Sequence, residues 1–154
     1  SAGVAVPYAG EDDADTLLQQ ADTAMYKAKE SGRKRLRLFA PAMRESAKTR
    51  FDLKNALPGA LANGEFEVYF QPQFKVADRS LTGAEALVRW NHPSGKLLTP
   101  AHFLAAAEES GVINDLGVWV LETSCRAAAL WHRGGADIPV AVTLSERQFE
   151  DPKL

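Results

Sequence analysis

The chain is 154 residues long, 45% hydrophobic and 25% charged, with a formal net charge of −2. That apolar fraction can build a core and excludes a disordered acidic or basic tail. The near-neutral balance argues against a nucleic-acid polymer as partner, and no apolar run reaches the ~18 residues of a membrane span.

The opening, Ser1-Ala2-Gly3-Val4, is strand-like and lacks an initiator Met. The last residues, Asp151-Pro152-Lys153-Leu154, follow another strand-like run, so the sequence reads as cut at both ends. Val4–Tyr8 reads as a short strand with Pro7 marking an edge. An acidic loop, Gly10-Glu11-Asp12-Asp13, follows. A helix is expected from Ala14 to Ser31, capped by Asp12 or Asp13 and ended by Gly32. Leu17, Ala21, Ala24, Met25 and Ala28 form its apolar face. Arg35–Phe39 alternates as a strand, and Pro41 closes this unit. Ala42–Asn63 is mainly helical, with Pro58 expected to kink or restart it. Of the eighteen Lys and Arg residues, ten lie between Lys27 and Lys54, marking a basic linker helix.

Phe66–Phe74 and Leu81–Trp90 read as strands. Their short connection, Lys75–Ser80, favours an antiparallel hairpin, because a parallel crossover needs about a dozen residues. Thr99-Pro100 starts a helix over Ala101–Ser110 that stops at Gly111. A longer helix covers Ile113–Arg133, with Leu116, Val120, Thr123, Ala127, Leu130 and Trp131 tracing one face. Pro139–Leu144 reads as a buried strand. This order of elements indicates an α/β or α+β domain.

Period-two alternation places Gly83, Glu85, Leu87 and Arg89 on one face of their strand and Ala84, Ala86, Val88 and Trp90 on the other. A carboxylate there can ligate a hard cation, and a nearby Arg can hold a phosphate by two parallel hydrogen bonds. An ordinary solvated Glu–Arg pair is the competing reading. Gln71, beside Pro72, sits at a strand rim where its amide can face a ligand or water. His92, His102 and His132 lack the spacing of a metal set and read as structural. Cys125, the single cysteine, can make no internal disulfide, fits a reducing cytoplasmic setting, and reads as a small buried hydrophobe.

Tyr69-Phe70-Gln71-Pro72 and Gly83-Ala84-Glu85-Ala86-Leu87-Val88-Arg89-Trp90-Asn91-His92-Pro93 resemble the signature of EAL domains. Pro100–Phe103, Ala107–Gly111, Leu116–Leu121 and Leu144–Phe149 match the same family in order and spacing. Leu17-Leu18, Ala21–Lys29 and Gly32–Arg35 resemble the C-terminal end of a GGDEF domain, whose signature motif lies upstream of this stretch. The resemblance implies three parts: a GGDEF remnant over 1–41, a linker and first EAL helix over 42–63, and the N-terminal part of an EAL domain over 64–154. It implies an α/β fold, part of a TIM-type barrel whose first strand runs antiparallel. It implies hydrolysis of cyclic-di-GMP to pGpG with Mg²⁺ or Mn²⁺. Glu85 would be the metal ligand and catalytic residue, Arg89 would hold a phosphate, and Gln71 and Leu87 would line the substrate site. Lys29 and Arg33 match GGDEF residues that contact nucleotide phosphates. The family's metal-binding Asn is replaced here by Thr143, a shorter donor, which opens a second reading: a degenerate EAL domain that binds cyclic-di-GMP as a regulatory module. Further acidic ligands and a Lys belong to later barrel strands; a barrel needs about 250 residues, and residues 51–154 supply fewer than half. Association through open strand edges, as a homodimer or otherwise, is expected of such a piece.

Overall fold

The computed structural model describes residues 1–7 and 13–150. The expected acidic loop falls outside them except for Asp13, as do Tyr8 and residues 151–154. The chain divides into two units, Ser1–Asp52 and Leu53–Leu154.

In the first unit, strand β1 (Ala2–Val4) and strand β2 (Leu36–Leu38) pair in parallel around helix α1 (Ala14–Glu30). The strand expected at Val4–Tyr8 lies earlier, at β1, because the pairing register runs Ala2 to Leu36 through Val4 to Leu38. Asp13 caps α1: its side chain accepts from the Thr16 N–H at 2.7 Å. That bond lowers the Asp13 carboxyl pKa below its ordinary value. Ala24 and Ala28 are fully buried, and a side chain at Gly3 would overlap the α1 backbone at Ala21 and Met25. The small residues therefore let strand and helix approach closely.

Helix α2 (Pro41–Ala62) runs through Pro58 as one element, so the expected restart does not occur. One missing N–H is tolerated because Leu57 and Ala60, on either side, are anchored in the core of the second unit.

The second unit is built on a four-stranded sheet. Strands β3 (Phe66–Phe74) and β4 (Leu81–His92) form the expected antiparallel hairpin, with Phe66 opposite Trp90 and Gln71 opposite Glu85. A short strand missed in the sequence, β5 (Lys96–Leu98), folds back on the end of β4. Gly95, at φ +80°, makes that turn, and its N–H donates to His92 O at 2.9 Å. Strand β6 (Val140–Val142) pairs with β4 in parallel, Glu85 opposite Ala141. It is shorter than expected and only half-buried, with α4 packed against it.

Helices α3 (Pro100–Ser110) and α4 (Ile113–Arg133) cover the even face of β4. Phe66, Trp90, Phe103, Ile113, Leu116 and Val120 share that core. The buried face of α4 runs through Ile113, Leu116, Gly117, Val120 and Ser124, rotated from the expected one. Two expectations fail for that reason. Leu130 is 61% exposed, and Cys125 is exposed because Ser124 takes the inward position beside it.

Glu65 ties the sheet to its core. Its carboxylate accepts from the Trp90 indole N–H at 2.9 Å and from the Asn63 amide at 3.0 Å. These bonds, the indole's first, hold its pKa below the ordinary value of 4.5. The stabilisation is therefore complete above pH 4.5 and is lost as pH falls through the lowered folded value. Urea midpoints recorded from pH 6 down to pH 3 should fall less steeply for Glu65→Gln than for the wild-type protein.

The short helix α5 (Glu146–Phe149) clamps the α3–α4 junction. Gln148, 4% exposed, donates to Ile113 O at 3.0 Å and accepts from the Ser145 N–H at 2.7 Å. A side chain at Gly117 would overlap the Gln148 amide. Gly117→Ala should cost about 1–3 kcal/mol, because it displaces a buried, doubly bonded amide. A chemical-denaturation series comparing Gly117→Ala with the Gly117→Ala/Gln148→Ala pair checks this; the second change should recover part of the loss.

Candidate functional site

The odd face of the β3–β4 hairpin lies opposite the face that carries Phe66 and Trp90 into the core. Strand register sets its layout: Gln71 lies opposite Glu85, Tyr69 opposite Leu87, and Glu67 opposite Arg89. Side chains paired this way stand about 4.5–5.5 Å apart at Cβ. The parallel pairing of β6 then brings Thr143, just past the strand end, to Glu85. The Thr143 hydroxyl donates to Glu85 Oε1 at 3.4 Å. Five residues singled out in the sequence, Gln71, Glu85, Leu87, Arg89 and Thr143, thus share one face across three strands. Glu85, Leu87 and Arg89 are half-buried, while Gln71 and Thr143 are exposed. The other two, Lys29 and Arg33, lie in the first unit at the C-terminal end of α1, where the Arg33 N–H donates to Lys29 O at 3.3 Å.

Beneath Glu85 and Thr143 an apolar cavity of about 350 Å³ opens between the sheet and the helices. Leu104, Leu116, Val120 and Val142 are among its walls. Low-dielectric walls strengthen any electrostatic contact made at Glu85.

The oxygen donors at this face are a carboxylate, a hydroxyl and, on the neighbouring strand, the Gln71 amide. Such a set suits a hard cation of the Mg²⁺ or Mn²⁺ class and lacks the nitrogen or sulfur ligands zinc prefers. Among the described residues no group of three or more His, Cys, Asp or Glu side chains could hold a metal. The three histidines are engaged locally, His92 with Ser94, His102 with Thr99, and His132 near Asp137.

The sequence profile of the EAL domain matches residues 54–154. The chain belongs to the EAL domain family. Among curated relatives, the signaling protein YkoW of Bacillus subtilis is 36% identical over 154 residues, covering 100% of this chain and 19% of that protein. The bifunctional diguanylate cyclase/cyclic di-GMP phosphodiesterase MucR of Pseudomonas aeruginosa is 40% identical over 134 residues, covering 86% of this chain and 20% of that protein. The chain therefore spans about a fifth of the length of these relatives. A solved structure of the PaMucR phosphodiesterase in complex with c-di-GMP aligns with a TM-score of 0.64 and 38% identity, covering 67% of this chain and 42% of that one. The mixed α/β architecture of the second unit is thus that of EAL domains, which are TIM-like barrels. No helix among the described residues is long and apolar enough to cross a membrane.

Two residues at the EAL face were given no role by the sequence. Tyr69 lies beside Arg89, its ring centre 5.7 Å from the guanidinium carbon. Period two from Gln71 places Tyr69 on this face, and that signal was available. Glu67 reaches the same face by the same rule.

Proposed function

We propose that this protein is part of a cyclic-di-GMP phosphodiesterase that hydrolyses cyclic-di-GMP to linear pGpG. The observation that carries the proposal is the convergence of Glu85, Thr143, Gln71 and Arg89 on one sheet face of an EAL domain. Glu85 would hold Mg²⁺ or Mn²⁺, with Thr143 as a second oxygen donor. A cation so held polarises a phosphoryl oxygen and lowers the pKa of water. Arg89 binds a phosphate of the substrate by paired N–H donors. Gln71 and Leu87 flank it, one offering an amide and the other an apolar wall.

The first 41 residues are read as the C-terminal remnant of a GGDEF domain, with Lys29 and Arg33 facing nucleotide phosphate, and residues 42–63 as the linker into the EAL domain at 64–154. The bifunctional name of the MucR relative, which aligns across most of this chain, supports a tandem arrangement. A cytoplasmic setting suits a nucleotide second messenger. Pairing through the free edges of β3 or β6 would join two copies.

The experiment is a turnover assay of the intact protein with cyclic-di-GMP and Mg²⁺, run beside calorimetry in Ca²⁺. Production of pGpG supports the enzyme. Binding without turnover supports the regulatory reading that Thr143 favours, and Thr143→Asn should then raise hydrolysis. Absence of both binding and turnover overturns the assignment.

A further inference from the structure

We propose that Tyr69 is a positioning residue that keeps the Arg89 guanidinium turned toward Glu85 and away from Glu67. The proposal rests on the reading of Arg89 as a phosphate holder.

In the hairpin register Arg89 stands directly opposite Glu67. An Arg–Glu pair is the ordinary contact between such cross-strand neighbours. Among the described residues no ion pair joins these two. The guanidinium carbon lies 5.7 Å from the centre of the Tyr69 ring instead. Tyr69 is the diagonal neighbour, opposite Leu87 and one pleat nearer Glu85. The distance falls within cation–π range. Nη1 donates to the Val88 carbonyl of its own strand at 2.9 Å, which fixes the other side of the group. A guanidinium has five N–H donors, so donors remain for a phosphate.

Tyr69 is 46% exposed, and its ring takes no part in the core cluster beneath the sheet. Its contact with Arg89 gives it a purpose there. Pairing with Glu67 would neutralise the guanidinium and occupy the fork that a phosphate needs. The ring offers attraction without hydrogen-bond acceptors, so it holds the cation while leaving its donors open.

The test uses the intact protein with cyclic-di-GMP. Tyr69→Leu should raise KM about three- to ten-fold with kcat nearly unchanged, and Tyr69→Phe, which keeps the ring, should stay near wild type. Glu67→Gln should suppress the Tyr69→Leu defect by removing the competing carboxylate. On an Arg89→Ala background, Tyr69→Leu should add nothing. A Tyr69→Phe defect as large as that of Tyr69→Leu, or no suppression by Glu67→Gln, would overturn the proposal. A general folding defect would not be rescued by Glu67→Gln.

The Arg89 Nε–Hε resonance gives a readout independent of substrate. Ring current should shift it upfield in the wild-type protein and in Tyr69→Phe, and the shift should vanish in Tyr69→Leu. If the wild-type protein neither binds nor cleaves cyclic-di-GMP, the phosphodiesterase reading fails, and this resonance alone decides the positioning: an unmoved signal in Tyr69→Leu overturns it.

Discussion

Glu85→Gln is expected to lower cyclic-di-GMP turnover of the intact protein by more than about a hundred-fold while leaving the fold intact. Loss of an outer partner of a metal ligand already costs about 10–100-fold, and Glu85 is read as the ligand itself. The substitution keeps the side-chain shape and one oxygen, so what it removes is the negative charge. Little structure depends on that charge. Glu85 is half-buried, and its hydrogen-bond partner is the Thr143 hydroxyl at 3.4 Å. A Gln oxygen accepts the same bond. Unfolding free energies of wild type and Glu85→Gln should therefore agree within the range of an ordinary surface change, about 0.5 kcal/mol. Raising Mg²⁺ should recover part of the activity if the variant only weakens cation affinity. Full turnover in Glu85→Gln would remove the carboxylate from the mechanism.

Much of this face was legible because strands obey period two. Glu85, Leu87 and Arg89 had to share a face wherever that strand lay, and the six-residue link after Phe74 had to fold back as a hairpin. Two steps were beyond local pattern. Thr143 meets Glu85 only because β6 pairs in parallel with β4 after residues 93–139, which run through β5 and two helices. Such a register is a tertiary fact. The orientation of α4 was likewise set elsewhere. Its residues offer apolar side chains on several sides, and the face that turns inward carries Gly117, against Gln148, and Ser124. Helical periodicity alone put Leu130 inside, where the structure leaves it in solvent. Pro58 shows the opposite case: a strong local breaker overruled by the burial of Leu57 and Ala60 around it.

Trp90→Ala is expected to cost the EAL domain about 3–5 kcal/mol, a large share of the ~5–15 kcal/mol that holds a domain together. Trp90 is 0% exposed and stands where three elements meet. Its ring lies 5.5 Å from Phe66, centre to centre, and 5.7 Å from Phe103 at a near-perpendicular angle. Truncation opens a cavity that these rings cannot close without moving β3 or α3. It also strips the Glu65 carboxylate of its indole donor. Trp90→Phe opens a smaller cavity, because it keeps one aromatic ring, and it likewise removes the N–H. That variant should lose about 1–3 kcal/mol, from the missing ring volume and the lost hydrogen bond together. Glu65→Gln probes the same bond from the other end, and the two changes together should cost less than their sum. Urea unfolding of the intact protein, followed by near-ultraviolet circular dichroism, gives these values. The candidate face and the core are opposite sides of β4, so Trp90→Phe should lower the unfolding midpoint while leaving KM for cyclic-di-GMP near wild type. If KM rose with the loss of stability, the two faces of β4 would be coupled through the strand itself.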